Sequence, residues 1–286
     1  MSDWKVLGRQ ALRGALELRR RGQAPKDTPV CVYDLADRLG VEVRFVGGSS
    51  FGGMFAKASD VILVPSLRPP GRQAFTAAHE LGHWYFRHGS RIDELPEFVP
   101  DVRDDPEEWV ANLFAAYLLM PSWAVESAFQ RRGLAPTTCT ALELYTIASE
   151  LGVGYDTLVQ HLRFSLHRIT LGRAQEFGSM TPKAIREEVT GLNDAKHLVV
   201  ADRAWRQGSI DLQVGHLALL PRGAVLEGDR AQVLGERDAG LLVRGKKPGI
   251  SRVFVEGSDW AKFLRVSRAD YEGRGKFRHL EDPDVE

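Results

Sequence analysis

Two histidines four residues apart set the strongest constraint on how this chain of 286 residues folds. His79 and His83 lie in the run Phe75-Thr76-Ala77-Ala78-His79-Glu80-Leu81-Gly82-His83-Trp84. On a helix they differ by about 40° in azimuth, so both imidazoles leave the same face. Two nitrogens placed that way can grip a zinc ion at roughly 2.0–2.1 Å. Glu80 stands beside the first histidine and points next to such an ion rather than at it. There its carboxylate can take a proton from a water that the metal acidifies to a pKa of about 7. This is the mechanical content of a His-Glu-x-x-His helix in metalloproteases. The setting supports it: Pro69-Pro70 suits a helix start, the small residues Ala77, Ala78 and Gly82 allow close packing, and the helix is predicted to run through Phe86.

A catalytic zinc takes three protein ligands and keeps one position open, so another element must supply a donor. His88 is poorly placed, about 140° around the helix from His83. The Gly-x-x-His extension of some zinc peptidases is also missing, because Phe86 stands at the glycine position. Glu107 and Glu108 are better candidates, in a second helix predicted over residues 106–119. From Glu108, the residues Ala111, Asn112 and Ala115 recur at i+3, i+4 and i+7, a face of small side chains that permits close approach. Glu107 shares part of that face with Ala111 and Phe114, so the spacing leaves both carboxylates open. Nitrogen-rich, four-coordinate ligation favours Zn2+, and Mn2+ or another divalent ion also fits such donors.

Two segments together, Arg72–His83 and Glu108-Trp109-Val110-Ala111-Asn112-Leu113-Phe114-Ala115-Ala116-Tyr117-Leu118-Leu119-Met120-Pro121, resemble the ImmA/IrrE metallopeptidase family. The resemblance covers about residues 25–170. It implies a zincin-like fold with His79, His83 and Glu108 as metal ligands and Glu80 as general base. It also implies a selective endopeptidase acting on a helix-turn-helix repressor in stress, DNA-damage or mobile-element responses. Members often carry a helix-turn-helix-like unit after the Leu-Leu-Met-Pro stretch, and residues 144–159 match that outline, with Gly152 at the turn. One member adds a C-terminal sensor-like domain. The segment from residue 195 holds an analogous place without a motif of its own. A non-hydrolytic regulator built on the same fold would have no chemical need for Glu80.

The remaining chain gives an α+β organisation in three parts. Residues 1–122 form the zincin-like domain. An amphipathic helix over 4–21, with its arginines on the face away from the leucines, opens it, and a helix at 29–39 and a strand at 41–46 follow. Gly53–Val64 reads as an antiparallel strand pair, beside which an extended substrate could add as a further strand. Residues 89–106 read as an acidic loop. Residues 123–194 form a helical unit, with helices near 122–132, 140–151 and 155–168 and a short one from Thr181-Pro182 to Val189, with Thr181 as its cap and Gly191 as its stop. Residues 195–286 form a small β-rich domain ending in a frayed polar tail of about a dozen residues.

Lys+Arg and Asp+Glu both number 38, for a net charge of 38 − 38 = 0. That balance argues against a dedicated nucleic-acid protein. The second helix of the turn unit offers only Gln160 and Arg163 to bases, so direct DNA binding is not the favoured reading. Two cysteines, Cys31 and Cys139, cannot form a disulfide scaffold, and Cys139 is expected to be an inert buried thiol. Tyr117, His161 and His167 are weaker candidates for an oxyanion donor. No apolar run reaches the roughly 20 residues that span a bilayer, and a soluble cytoplasmic protein without a membrane partner is expected.

Overall fold

The computed structural model describes residues 3–25, 28–48, 53–56, 59–89, 92–93, 105–193 and 196–280. Most of the expected acidic loop lies outside them. The chain divides into two units, one made of Met1–Val125, Leu151–Val153 and Asp270–Lys276, the other of Glu126–Glu150, Gly154–Ala269 and Phe277–Glu286. Among the described residues, no helix is long and apolar enough to cross a membrane.

The first unit contains helices α1 (Asp3–Arg21) and α2 (Val32–Arg38) and strands β1 (Glu42–Val46), β2 (Gly53–Ala56) and β3 (Val61–Pro65). Helix α3 (Pro70–Phe86), strand β4 (Ile92–Asp93) and helix α4 (Pro106–Leu119) follow. A late strand, β13 (Gly273–Arg274), completes a five-stranded sheet of order β13-β1-β3-β2-β4. β2 and β3 pair antiparallel as expected, whereas β1 lies parallel to β3, Val43 opposite Ile62 and Phe45 opposite Val64. Alternation on these strands buries Val43, Phe45, Ile62, Val64 and Phe55. α3 packs on β2 and β3 and against α4, and α4 packs against α1.

α3 starts with a proline in its first turn, where the missing N–H costs nothing. It ends where Arg87 enters the left-handed region at φ 59°. Its approach to α4 depends on Gly82. A Cβ there would lie 3.1 Å from Phe114 Cδ1 and 3.3 Å from the Ala111 backbone. Gly82→Val should therefore cost about 1–3 kcal/mol by overpacking, seen as a lower urea midpoint at unchanged slope; an unchanged midpoint would mean that the helices part freely.

α1 does not keep all its arginines on the open face. Arg19 is buried, donating to the Leu118 carbonyl at 2.8 Å, to Thr28 at 2.9 Å and to Pro25 at 3.1 Å. Burial pushes its guanidinium down to about 10. One side chain thus satisfies a carbonyl in the last turn of α4 together with the connection after α1.

The second unit carries α5 (Ser122–Gln130) from Glu126 onward, α6 (Ala141–Leu151) up to Glu150, α7 (Tyr155–Gln160), α8 (Leu171–Ser179) and α9 (Pro182–Thr190). α6 and α7 flank Gly152, which sits at φ 70° as a tight turn requires. The helix expected over 155–168 is α-helical only to Gln160 and continues as a π-helical turn, His161–Ser165. α9 is capped as predicted: the Thr181 hydroxyl accepts from Ala184 N, and Gly191 closes it in the left-handed region.

Two four-stranded sheets follow. One has the order β5 (Leu198–Val200), β7 (Leu217–Leu220), β10 (Gly240–Gly245), β9 (Ala231–Arg237). The other has the order β6 (Ser209–Gln213), β12 (Ala261–Ser267), β11 (Gly249–Val255), β8 (Ala224–Glu227). A single core joins their inner faces, with Leu220, Leu241 and Val243 from one sheet and Ile210, Val253, Leu264 and Val266 from the other. Trp205 and Trp260 fill it, each indole N–H donating to a backbone carbonyl.

The polar tail is not frayed over its described part. Gly275–Phe277 forms a 3-10 turn, and Arg278 and His279 are buried. Asp211 takes Arg265 bidentately at 2.6 and 2.8 Å and Arg278 at 3.1 Å, with His279 at 3.6 Å. Charge pairing holds a segment whose composition alone reads as solvent-exposed.

Candidate metal centre

His79, Glu80 and His83 sit in the middle of α3, 0%, 1% and 2% exposed. Such burial of three polar side chains demands partners. α4 supplies one in its first turn. Asp105 caps that helix, its Oδ1 accepting from the backbone N–H of Glu107 at 3.1 Å and of Glu108 at 3.2 Å, which fixes where the Glu108 side chain starts.

Three donors converge. His79 Nε2 and His83 Nε2 are 3.0 Å apart, and the Glu108 carboxylate oxygens lie 3.1 Å from the first and 3.2 Å from the second. Ligand atoms at roughly 2.0–2.1 Å around a tetrahedral ion are separated by about 3.3 Å, so the donor spacing suits zinc closely. Among the described residues, His79, His83 and Glu108 form the one such group of metal-capable side chains. Burial pushes the Glu108 carboxyl up, but the adjacent His79 and His83 outweigh it and hold the group well below the ordinary carboxylate range. It is an anion ready to meet a cation.

Helical spacing left Glu107 and Glu108 open and the family resemblance implied Glu108; the structure brings Glu108 to the histidines, and Glu107 is not in the group. Glu80 is directed elsewhere, toward β2. A Cβ on Gly53 would lie 2.6 Å from Glu80 Oε1 and 2.5 Å from the Thr76 methyl. The bare backbone of Gly53 gives the carboxylate its room.

Two neighbours escaped the sequence reading as parts of the site. Asn112 Oδ1 lies 3.1 Å from His79 Nδ1, and His88 Nδ1 lies 3.0 Å from His83 Nδ1. The i+4 relation of Asn112 to Glu108 was the available signal for the first. His88 gave none, because its helical azimuth points away.

The expected addition of a substrate strand beside β2 meets an obstacle. β2 is an interior strand, paired with β3 on one side and with β4 on the other, Gly53 opposite Asp93 and Met54 opposite Ile92. Its hydrogen-bonding groups at that end are taken. Of the weaker candidates, Tyr117 is a half-buried residue of α4 whose phenol burial pushes up. His161 and His167 belong to the second unit. Cys139 is also there, its buried thiol pushed up, as expected of an inert cysteine.

Comparison with known proteins places these elements. Residues 36–163 match the family described as the IrrE N-terminal-like domain. The radiation response metalloprotease IrrE of Deinococcus radiodurans is 32% identical over 110 residues, which cover 37% of this chain and 32% of that protein. The chain thus matches about a third of the length of this curated relative. A Mycobacterium tuberculosis transcriptional regulator of known structure aligns at 20% identity with a TM-score of 0.35, over 55% of this chain and 46% of that one.

Proposed function

We propose that the protein, whose residues 36–163 match the IrrE N-terminal-like family, is an ImmA/IrrE-type zinc-dependent, site-specific endopeptidase on a zincin-like scaffold. The observation that carries this reading is the meeting of His79, His83 and Glu108, from two helices, at the spacing a single ion requires, with Glu80 next to the first histidine. When bound, the ion supplies a Lewis acid that polarises a peptide carbonyl and acidifies water.

The chain's own residues do the rest. His79 and His83 present their Nε2 atoms as neutral donors, and Glu108 adds a negative charge that offsets the ion's. With three protein donors, a bound ion would keep room for a water or a substrate oxygen. Glu80 accepts the proton of the attacking water and passes it to the departing amine, so that the peptide nitrogen leaves as a neutral group. The depth of α3 keeps bulk water away and strengthens these interactions.

The curated relative is a radiation response metalloprotease, and we extend a stress- or damage-response setting to this chain. In line with the family resemblance, its substrate is a helix-turn-helix repressor. The α6–Gly152–α7 outline is in keeping with a helix-turn-helix-like unit in the protease itself.

Zinc titration of the purified full chain tests the centre. One ion per chain is expected, lost in His83→Ala and in Glu108→Ala, and a chelator should stop cleavage of a repressor encoded beside the gene. A wild-type chain that takes up no divalent ion would overturn the metallopeptidase reading. Uptake without any cleavage of that repressor would overturn the substrate.

A further inference from the structure

We propose that Asn112 and His88 are positioning residues that set the proton on each ligand imidazole and so tune the metal affinity of the centre. The inference rests on the metal site proposed above and adds its supporting groups.

A neutral imidazole carries one N–H and one lone pair, and a ligand must turn the lone pair to the ion. In His79, Nε2 faces His83 and Glu108 while Nδ1 faces Asn112 Oδ1 at 3.1 Å. An amide oxygen only accepts, so Nδ1 carries the proton and donates it. Nε2 is then left as the bare donor. Asn112 reaches this place because it lies one helical turn beyond Glu108 on the buried face of α4. The helix that brings the third ligand therefore also orients the first.

His83 is held from the other side. Its Nε2 faces the cluster, and its Nδ1 lies 3.0 Å from His88 Nδ1. With the lone pair of Nε2 turned to an ion, Nδ1–H of His83 donates to His88 Nδ1, and His88 keeps its own proton on Nε2. The backbone explains how a residue that a continuing helix would carry away comes back. Arg87 adopts φ 59°, ψ 34°, and the His88 N–H donates to the His83 carbonyl at 3.0 Å. This left-handed cap folds His88 over the last turn of α3.

Outer groups of this kind are worth about 10–100-fold in metal affinity. The test is competition for Zn2+ between the full-length protein and a chromogenic chelator, with the visible spectrum of the Co2+ form as a second readout. Asn112→Ala and His88→Ala should each bind about 10–100-fold more weakly and shift the Co2+ bands. Asn112→Asp and His88→Gln keep an acceptor at the same place and should recover most of the affinity. Wild-type affinity in both alanine variants would overturn the proposal while leaving the metal site standing, provided that His83→Ala does lose the ion. Equal losses in the alanine and the acceptor-keeping variants, or alanine variants that do not fold while the acceptor-keeping ones bind weakly, would assign both residues to packing and overturn it too. A wild type that binds no ion overturns both readings together.

Discussion

Glu80→Gln is expected to lower peptide hydrolysis by about 100- to 10,000-fold, the usual worth of a positioned general base, with zinc uptake unchanged. The substitution keeps shape and volume in a place with little slack, since Glu80 is 1% exposed and its Oε1 lies where a Cβ on Gly53 would sit at 2.6 Å. It removes the negative charge and with it the capacity to take a proton. Because the ligand group consists of His79, His83 and Glu108, the ion should stay. The measurements are kcat/KM on a cleavable repressor and a zinc titration of the same preparation. Cleavage at the wild-type rate would assign the proton transfer to another group. Loss of the ion would make Glu80 a ligand and recast the centre.

The parts of the site that the sequence made legible are those that depend on local geometry. A four-residue histidine spacing on a helix works wherever the helix is, and α3 runs Pro70–Phe86 as its proline start and apolar spacing predicted. The choice between Glu107 and Glu108 required knowing which face of α4 meets α3, and neighbouring residues on one helix share too much of that face. His88 differs: helical azimuth points it away only if the helix continues, and the chain turns at Arg87.

Elsewhere the misses follow burial. α8 buries only Ala174 and Phe177, and its start depends on Thr170, whose hydroxyl accepts from Arg173 N. With so few apolar residues inside, it shows little periodic signal. β12 buries Leu264 and Val266 in alternation, but Phe263 stands on the exposed side next to Leu264, so its apolar residues do not alternate along the sequence. β6 alternates Ile210 and Leu212 with polar residues but is short and flanked by turns. β13 has no apolar residue at all, and its place beside β1 is a matter of long-range pairing. The Asp211 cluster likewise joins residues distant in sequence, which composition read as a loose tail.

Glu150→Ala should destabilise the second unit by about 3–5 kcal/mol, the range for removing one partner of a buried ion network. Glu150 is 0% exposed on α6. Its Oε1 accepts from Arg131 at 2.9 Å and from the backbone N–H of Arg206 at 2.8 Å, and its Oε2 lies 2.8 Å from Arg132 Nη1. Truncation leaves the Arg131 guanidinium and a backbone donor without this acceptor. Arg132 fares better, because Asp202 holds it bidentately at 2.6 and 2.8 Å. Arg131 should therefore account for most of the loss, and Arg131→Met should recover part of it in the Glu150→Ala background by removing the stranded charge. Urea unfolding followed by tryptophan emission reads this unit through the buried Trp205 and Trp260 once the four tryptophans of the first unit, Trp4, Trp84, Trp109 and Trp123, are replaced by phenylalanine in wild type and variant alike. A loss below about 1 kcal/mol would place the pair with exposed salt bridges, whose net worth is of that size, and would mean that the network does not hold α6 to the segment carrying Arg206.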